Sequence, residues 1–65
     1  MVIKIVELIG VSEKSFEDAF AEGVKRAAKT LRNVTGVDVV GQTASIDGGK
    51  IAEYKVNLKV AFRVE

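Results

Sequence analysis

The side chains able to do chemistry in this chain are mostly charged, and they are sorted by sign. Glu13, Glu17, Asp18 and Glu22 crowd the first half of one segment, and Lys25, Arg26, Lys29 and Arg32 the second half. That order opposes a helix macrodipole, so the carboxylates read as a solvated helix face rather than an acid–base pair. Lys55, Lys59 and Arg63 recur every four residues among alternating apolar positions. On a strand they share one face, where they can attract phosphate. Glu53 and Glu65 flank them, and a solvated or intersubunit salt-bridged face is the simpler reading. Histidine and cysteine are both absent, which removes Cys/His zinc sites, imidazole bases and thiolate nucleophiles. No serine stands in a recognisable nucleophile setting. Gly48-Gly49-Lys50 lacks the preceding glycine and following helix of a phosphate loop, and reads as a tight turn. Asp47 lacks the 12-residue calcium loop and its terminal Glu. Backbone carbonyls with Asp38, Asp47 or Glu53 can build a calcium site shared between subunits, but the sequence assigns no metal ligands. Nothing in the spacing recommends Glu7, Asp38 or Asp47 as catalytic. The chain is read as a non-enzyme, with no catalytic residues.

The elements that must position these groups are legible from periodicity. In Ile51 to Glu65, Ala52, Tyr54, Val56, Leu58, Val60, Phe62 and Val64 alternate with polar residues, and only Ala61 breaks the pattern. This is a long strand with one buried and one wetter face. Val2 to Ile9 reads as a first strand with apolar residues on both faces, Ile3, Ile5 and Ile9 against Val2, Val6 and Leu8. Gly10 and Val11 turn the chain. A helix follows, capped by Ser12 or Ser15 and running to about Arg32 or Asn33. Phe16, Ala19, Phe20, Gly23, Val24, Ala27, Ala28 and Leu31 form its apolar stripe, with Gly23 marking close packing on the sheet. Val37 to Ile46 is a second strand with a bulge or bend at Gly41. Asp47 to Lys50 is a hairpin turn. The result is an α+β fold of order β-α-β-β: a three-stranded antiparallel sheet, the C-terminal strand central, with one helix packed on it as a crossover.

Size and charge bound the function. Sixty-five residues form one domain, 1–65. A monomer this small buries only about 60% of its unfolded surface. Disulfides cannot reinforce it, which leaves oligomerisation. The terminal strand outruns a helix of about 30 Å, so its apolar side, around Phe62 and Val64, is expected to overhang and meet another protein surface. A net charge of +1 argues against a charge-driven nucleic-acid binder. No apolar run is long enough to span a membrane and no signal peptide is visible, so the expected location is cytoplasmic.

From end to end the chain resembles the dodecins. The resemblance is carried by Lys4-Ile5-Val6-Glu7-Leu8-Ile9-Gly10-Val11-Ser12, by the alanine-rich helix with Arg26-Ala27, Thr30 and Asn33, by Val39-Val40-Gly41-Gln42, and by Glu53-Tyr54 with Leu58-Lys59-Val60-Ala61-Phe62. It implies a hollow homo-dodecamer without enzymatic activity that binds or stores a small ligand or ion. The best-known dodecins bind flavins (riboflavin, FMN, FAD) in pairs at subunit contacts. The resemblance places their stacking aromatic at Gly36 and their ring-pairing glutamine at Lys55, with Gln42 a neighbouring pocket position. Glycine offers no stacking face, and lysine cannot accept hydrogen bonds as a carboxamide does. The implied function is therefore small-ligand or ion sequestration with the usual flavin site lost or altered. The alternatives are a flavin-binding dodecin with a different stacking group, a calcium-binding dodecin, and an interaction module without a ligand.

Overall fold

The computed structural model describes residues 1–64. It contains β1 (Val2–Ser12), α1 (Phe16–Thr30), β2 (Val34–Asp47) and β3 (Lys50–Val64). The sheet order is β1-β3-β2 and both pairings are antiparallel. The architecture is the expected α+β, β-α-β-β arrangement with the C-terminal strand central. Glu65, expected as that strand's last residue, lies outside the described residues.

Several boundaries differ from the sequence reading, each for a local reason. Ser12 does not cap the helix; it ends β1 opposite Tyr54. Its hydroxyl donates to Asp18 Oδ2 at 2.6 Å and accepts from the Lys14 amide at 2.9 Å. Ser15 is the N-cap, its side chain accepting from the Asp18 amide at 3.0 Å. The helix stops at Thr30 because Leu31 is already extended, although its amide still bonds Ala27 O. Asn33 then takes φ 58°, a left-handed conformation that Asn tolerates, and its carbonyl accepts from the Arg63 amide at 3.0 Å. That bond draws the chain onto the sheet, so β2 starts at Val34, three residues before the expected start. The irregularity expected at Gly41 is present as a register shift between Val39 and Gly41, with two others near Val34/Gly36 and Ser45/Ile46. Gly48 and Gly49 supply the positive φ values of the hairpin turn.

The core lies between the helix and β3. Val56, Leu58 and Val60 of β3 are buried against Ala19 and Ala27 of the helix. Ala19, Gly23 and Ala27 fall four residues apart on one helix face and are all buried. Their small size lets the helix axis approach the sheet. Gly10 and Gly23 mark the closest approach. A Cβ on Gly23 would stand 2.6 Å from Leu58 Cδ1 and 3.3 Å from Leu8 Cδ1. A Cβ on Gly10 would stand 3.0 Å from Ala19 C and 3.1 Å from Gly23 N, and closer still to the Ala19 carbonyl oxygen. The apolar stripe is narrower than its spacing suggests, because Phe20 and Ala28 are exposed. Phe16 is held at the edge by an edge-to-face contact with Tyr54, ring centroids 5.0 Å apart.

The overhang is placed differently from the expectation. With Phe16 over Tyr54 and the helix running back towards Phe62, the 15-residue helix covers about 22 Å, while β3 reaches about 50 Å. Phe62 is half-buried and Val64 exposed. The larger uncovered stretch is the hairpin end, where Ile46 and Ile51 are 63% and 50% exposed. The extents, 48 × 18 × 13 Å, reflect this projecting ribbon.

Candidate functional site

Strand register decides which side chains share a face. On β3, residues with even numbers from Tyr54 to Phe62 meet the helix side, and the odd-numbered residues lie on the open face. Gly36 pairs with Ala61 and so belongs to the open face. Lys55 lies on the same face, between Val11 of β1 and Thr43 of β2. Gln42 pairs with Val56 and belongs to the opposite, helix side. Ala61 and Lys55 are six residues apart along β3, a separation of about 20 Å. One chain therefore puts Gly36 and Lys55 on one face but at distant points of it, and puts Gln42 on the other.

The surroundings of these positions set what they can do. A Cβ on Gly36 would find nothing within 4 Å, so the position is an open recess rather than a packing contact. Lys55 is half-buried by its strand neighbours. Along β3 the open face continues through Asn57, Lys59, Ala61 and Arg63. Lys59 stands between Glu7 of β1 and Asp38 of β2 in the paired register. The sequence grouped Lys59 with Lys55 and Arg63 but missed these flanking carboxylates. Period-two alternation gives the face of each residue, and only the strand register gives the row.

Two further features bear on ligand chemistry. An open cleft of about 580 Å³ lies where segment 30–33 meets Phe62, Arg63 and Val64. Apolar Leu31 and Phe62 and the Arg32 side chain all line it. Among the described residues no group of three or more His, Cys, Asp or Glu side chains is arranged to hold a metal ion. Glu7 and Asp38 are only two carboxylates, and the Lys59 position stands between them. Among the described residues no buried side-chain nitrogen or oxygen lacks a hydrogen-bond partner, and no helix is long and apolar enough to cross a membrane.

Comparison with known proteins accounts for the whole arrangement. The Dodecin family model matches residues 2–65. A dodecin from Thermus thermophilus is 41% identical over 64 residues, covering 98% of this chain and 93% of the relative. Calcium dodecin from Mycobacterium tuberculosis is 32% identical over 63 residues, covering 97% of this chain and 89% of the relative. Among solved structures, dodecin from Streptomyces coelicolor aligns with a TM-score of 0.93 at 31% identity, over 98% of this chain and 91% of that one. Helix, sheet order and long central strand are thus those of known dodecins, and the chain belongs to the dodecin family.

Proposed function

We propose that this protein is a non-enzymatic, homo-oligomeric dodecin, a hollow dodecamer, that binds or sequesters a small ligand or ion without the usual flavin stack. The observation that carries the reading is the state of Gly36 and Lys55. They share the open face but stand about 20 Å apart, so a pocket holding both is completed only by residues of two copies. Gly36 offers no ring to an isoalloxazine. Base–aromatic stacking is worth about 1–3 kcal/mol per base, and this position forgoes all of it. Lys55 donates but cannot accept, so it pairs with half of a flavin's pyrimidine edge at most. The residues present do not fit a flavin in the stacked manner.

Self-association is supported by surface area. The chain exposes 4725 Å², about 700 Å² more than the roughly 4,000 Å² expected of a compact monomer of this mass. Among the exposed side chains are large apolar ones, with Ile5, Ile9, Val40 and Ile46 all more than half exposed.

A second reading, calcium binding, is favoured by the relative named calcium dodecin. Among the described residues the carboxylates of one chain form no such cluster, so in this reading the ligands converge between copies. Light scattering and ligand titration test both. The expected mass is twelve times 7.0 kDa, with riboflavin fluorescence left unquenched at stoichiometric protein. Strong stoichiometric quenching would refute the altered-site reading. Calorimetric titration with calcium decides the second, saturable heat supporting it and a flat titration removing it.

A further inference from the structure

The two strand registers lay the open face out as a grid. Glu7, Lys59 and Asp38 form one row across β1, β3 and β2. The next row is Ile9, Asn57 and Gly41, and the one after it is Val11, Lys55 and Thr43. The two lysines of these rows are not equivalent. Lys59 is exposed and has a carboxylate-bearing residue on each side in its own row. Lys55 has none, because Val11 and Thr43 carry no charge, and Asn57 in the adjacent row carries none either. The carboxylate-bearing residue closest to it in the grid is Glu53, opposite Ser45 in the following row and about 7 Å away along β3. Among the described residues Lys55 forms no ion pair. It is half-buried all the same, and a partly desolvated ammonium without a partner is stabilised by an anion that reaches it.

The groups around Lys55 narrow the choice of anion. Asn57 and Thr43 add an amide and a hydroxyl, each able to donate to an oxygen acceptor. A Cβ on Gly41 would meet nothing within 4 Å, so the approach to these donors is open. The strand is also irregular there, with its register shift between Val39 and Gly41, and bulges of this kind are common beside active sites. On the β1 side Ile9 and Val11, 54% and 43% exposed, form an apolar wall. Two rows of three strands span about 7 by 10 Å, the footprint of one ring with a short substituent. One cation suits one negative charge, and a dianion would be repelled by Glu53 as well.

We infer that the ligand held at Lys55 is a small carboxylate with an apolar body. Its carboxylate accepts from the Lys55 ammonium, with Asn57 and Thr43 as further donors, and its body lies along Ile9 and Val11. The inference rests on the small-ligand reading above and assigns that ligand its charge and its chemical class.

The test is calorimetric titration of the native protein with benzoate, phenylacetate and isovalerate. Phenylacetamide serves as the neutral isostere and inorganic phosphate at pH 8 as the dianion. The carboxylate titrations are repeated on Lys55→Gln and on Lys59→Gln, two variants that remove the same charge from the same strand. The expected result is saturable binding of at least one carboxylate, with phenylacetamide and phosphate weaker by about tenfold or more. Lys55→Gln should weaken the carboxylate by about tenfold or more, and Lys59→Gln should leave it unchanged. If Lys55→Gln fails to fold, the comparison of phenylacetate with phenylacetamide on the parent protein still decides. No saturable binding by any of the three carboxylates overturns the inference, as does equal affinity for acid and amide. Phosphate binding tighter than the carboxylates overturns the assigned class, and an equal loss in the two variants overturns the assignment to Lys55. Riboflavin titration of the same protein separates the two readings. Stoichiometric quenching refutes the altered flavin site, whereas unquenched riboflavin with silent carboxylates overturns this inference alone.

Discussion

Substituting Gly10 by alanine should be among the most damaging single-methyl changes in this protein. The new Cβ would stand 3.0 Å from Ala19 C and 3.1 Å from Gly23 N, and closer still to the Ala19 carbonyl oxygen. These are helix backbone atoms, so no rotamer change relieves the clash. The helix must move off β1 by about an ångström, and Ala19, Gly23 and Ala27 move with it, away from Val56, Leu58 and Val60. Overpacking of this kind costs about 1–3 kcal/mol, and backbone partners place the cost at the upper end. Alanine returns about 0.4–1 kcal/mol by restricting the unfolded chain, leaving a net loss of about 2 kcal/mol. For a domain of this size that lowers Tm by about 8–16 °C. The assay is thermal unfolding by circular dichroism at one fixed protein concentration, since the Tm of an oligomer depends on concentration. Gly36→Ala is the control, because its Cβ meets nothing within 4 Å; its Tm should be unchanged or slightly higher. A Gly10→Ala protein melting within a degree or two of the parent would refute the close helix–strand approach.

Other outcomes follow from the same packing. Gly23→Ala should be much milder than Gly10→Ala, because the atoms it meets are the Cδ1 ends of Leu58 and Leu8 and alanine gains about 1 kcal/mol of helix propensity; the two melting curves compared side by side check this. Leu58→Ala, at a fully buried central position, should cost about 2–5 kcal/mol and leave the far-UV spectrum largely unfolded at 37 °C. Ser15→Ala removes the N-cap and should cost about 1 kcal/mol, read from chemical denaturation midpoints. Gly36→Trp combined with Lys55→Gln should tighten riboflavin binding about 10- to 100-fold, the equivalent of one stacking contact; unchanged fluorescence titration would mean that the pocket lies elsewhere.

The fold was largely legible because its signals are local and redundant. Period two in Tyr54 to Phe62 and period 3.6 in Phe16 to Leu31 leave little choice of element, and Asp47-Gly48-Gly49-Lys50 permits little besides a hairpin. The errors arose where one residue serves two elements. Ser12 looks like a cap by type, but it ends a strand and bonds the first turn of the helix from there. Leu31 continues the apolar helical pattern, yet it packs on the core from an extended backbone. The larger overhang falls at the hairpin end and not at the Phe62 end, because a sequence specifies lengths but not alignment. The Phe16–Tyr54 contact fixes the helix over the middle of β3 and leaves the hairpin end bare. The site was less legible for a physical reason. Gly36, Gln42 and Lys55 do not converge within one chain, so no local pattern of the sequence marks them as one site.

That separation leaves the proposed ligand positions free to vary with little risk to the fold. The residues that hold the helix to the sheet, Gly10, Gly23, Leu58 and their neighbours, all lie on the helix side. Gly36 and Lys55 lie on the other face, where a Cβ added at Gly36 would meet nothing within 4 Å. A substitution at Gly36 therefore leaves the core contacts of each chain as they were. The helix–sheet contacts and the proposed ligand positions Gly36 and Lys55 thus draw on nearly disjoint sets of residues, on opposite faces of the sheet.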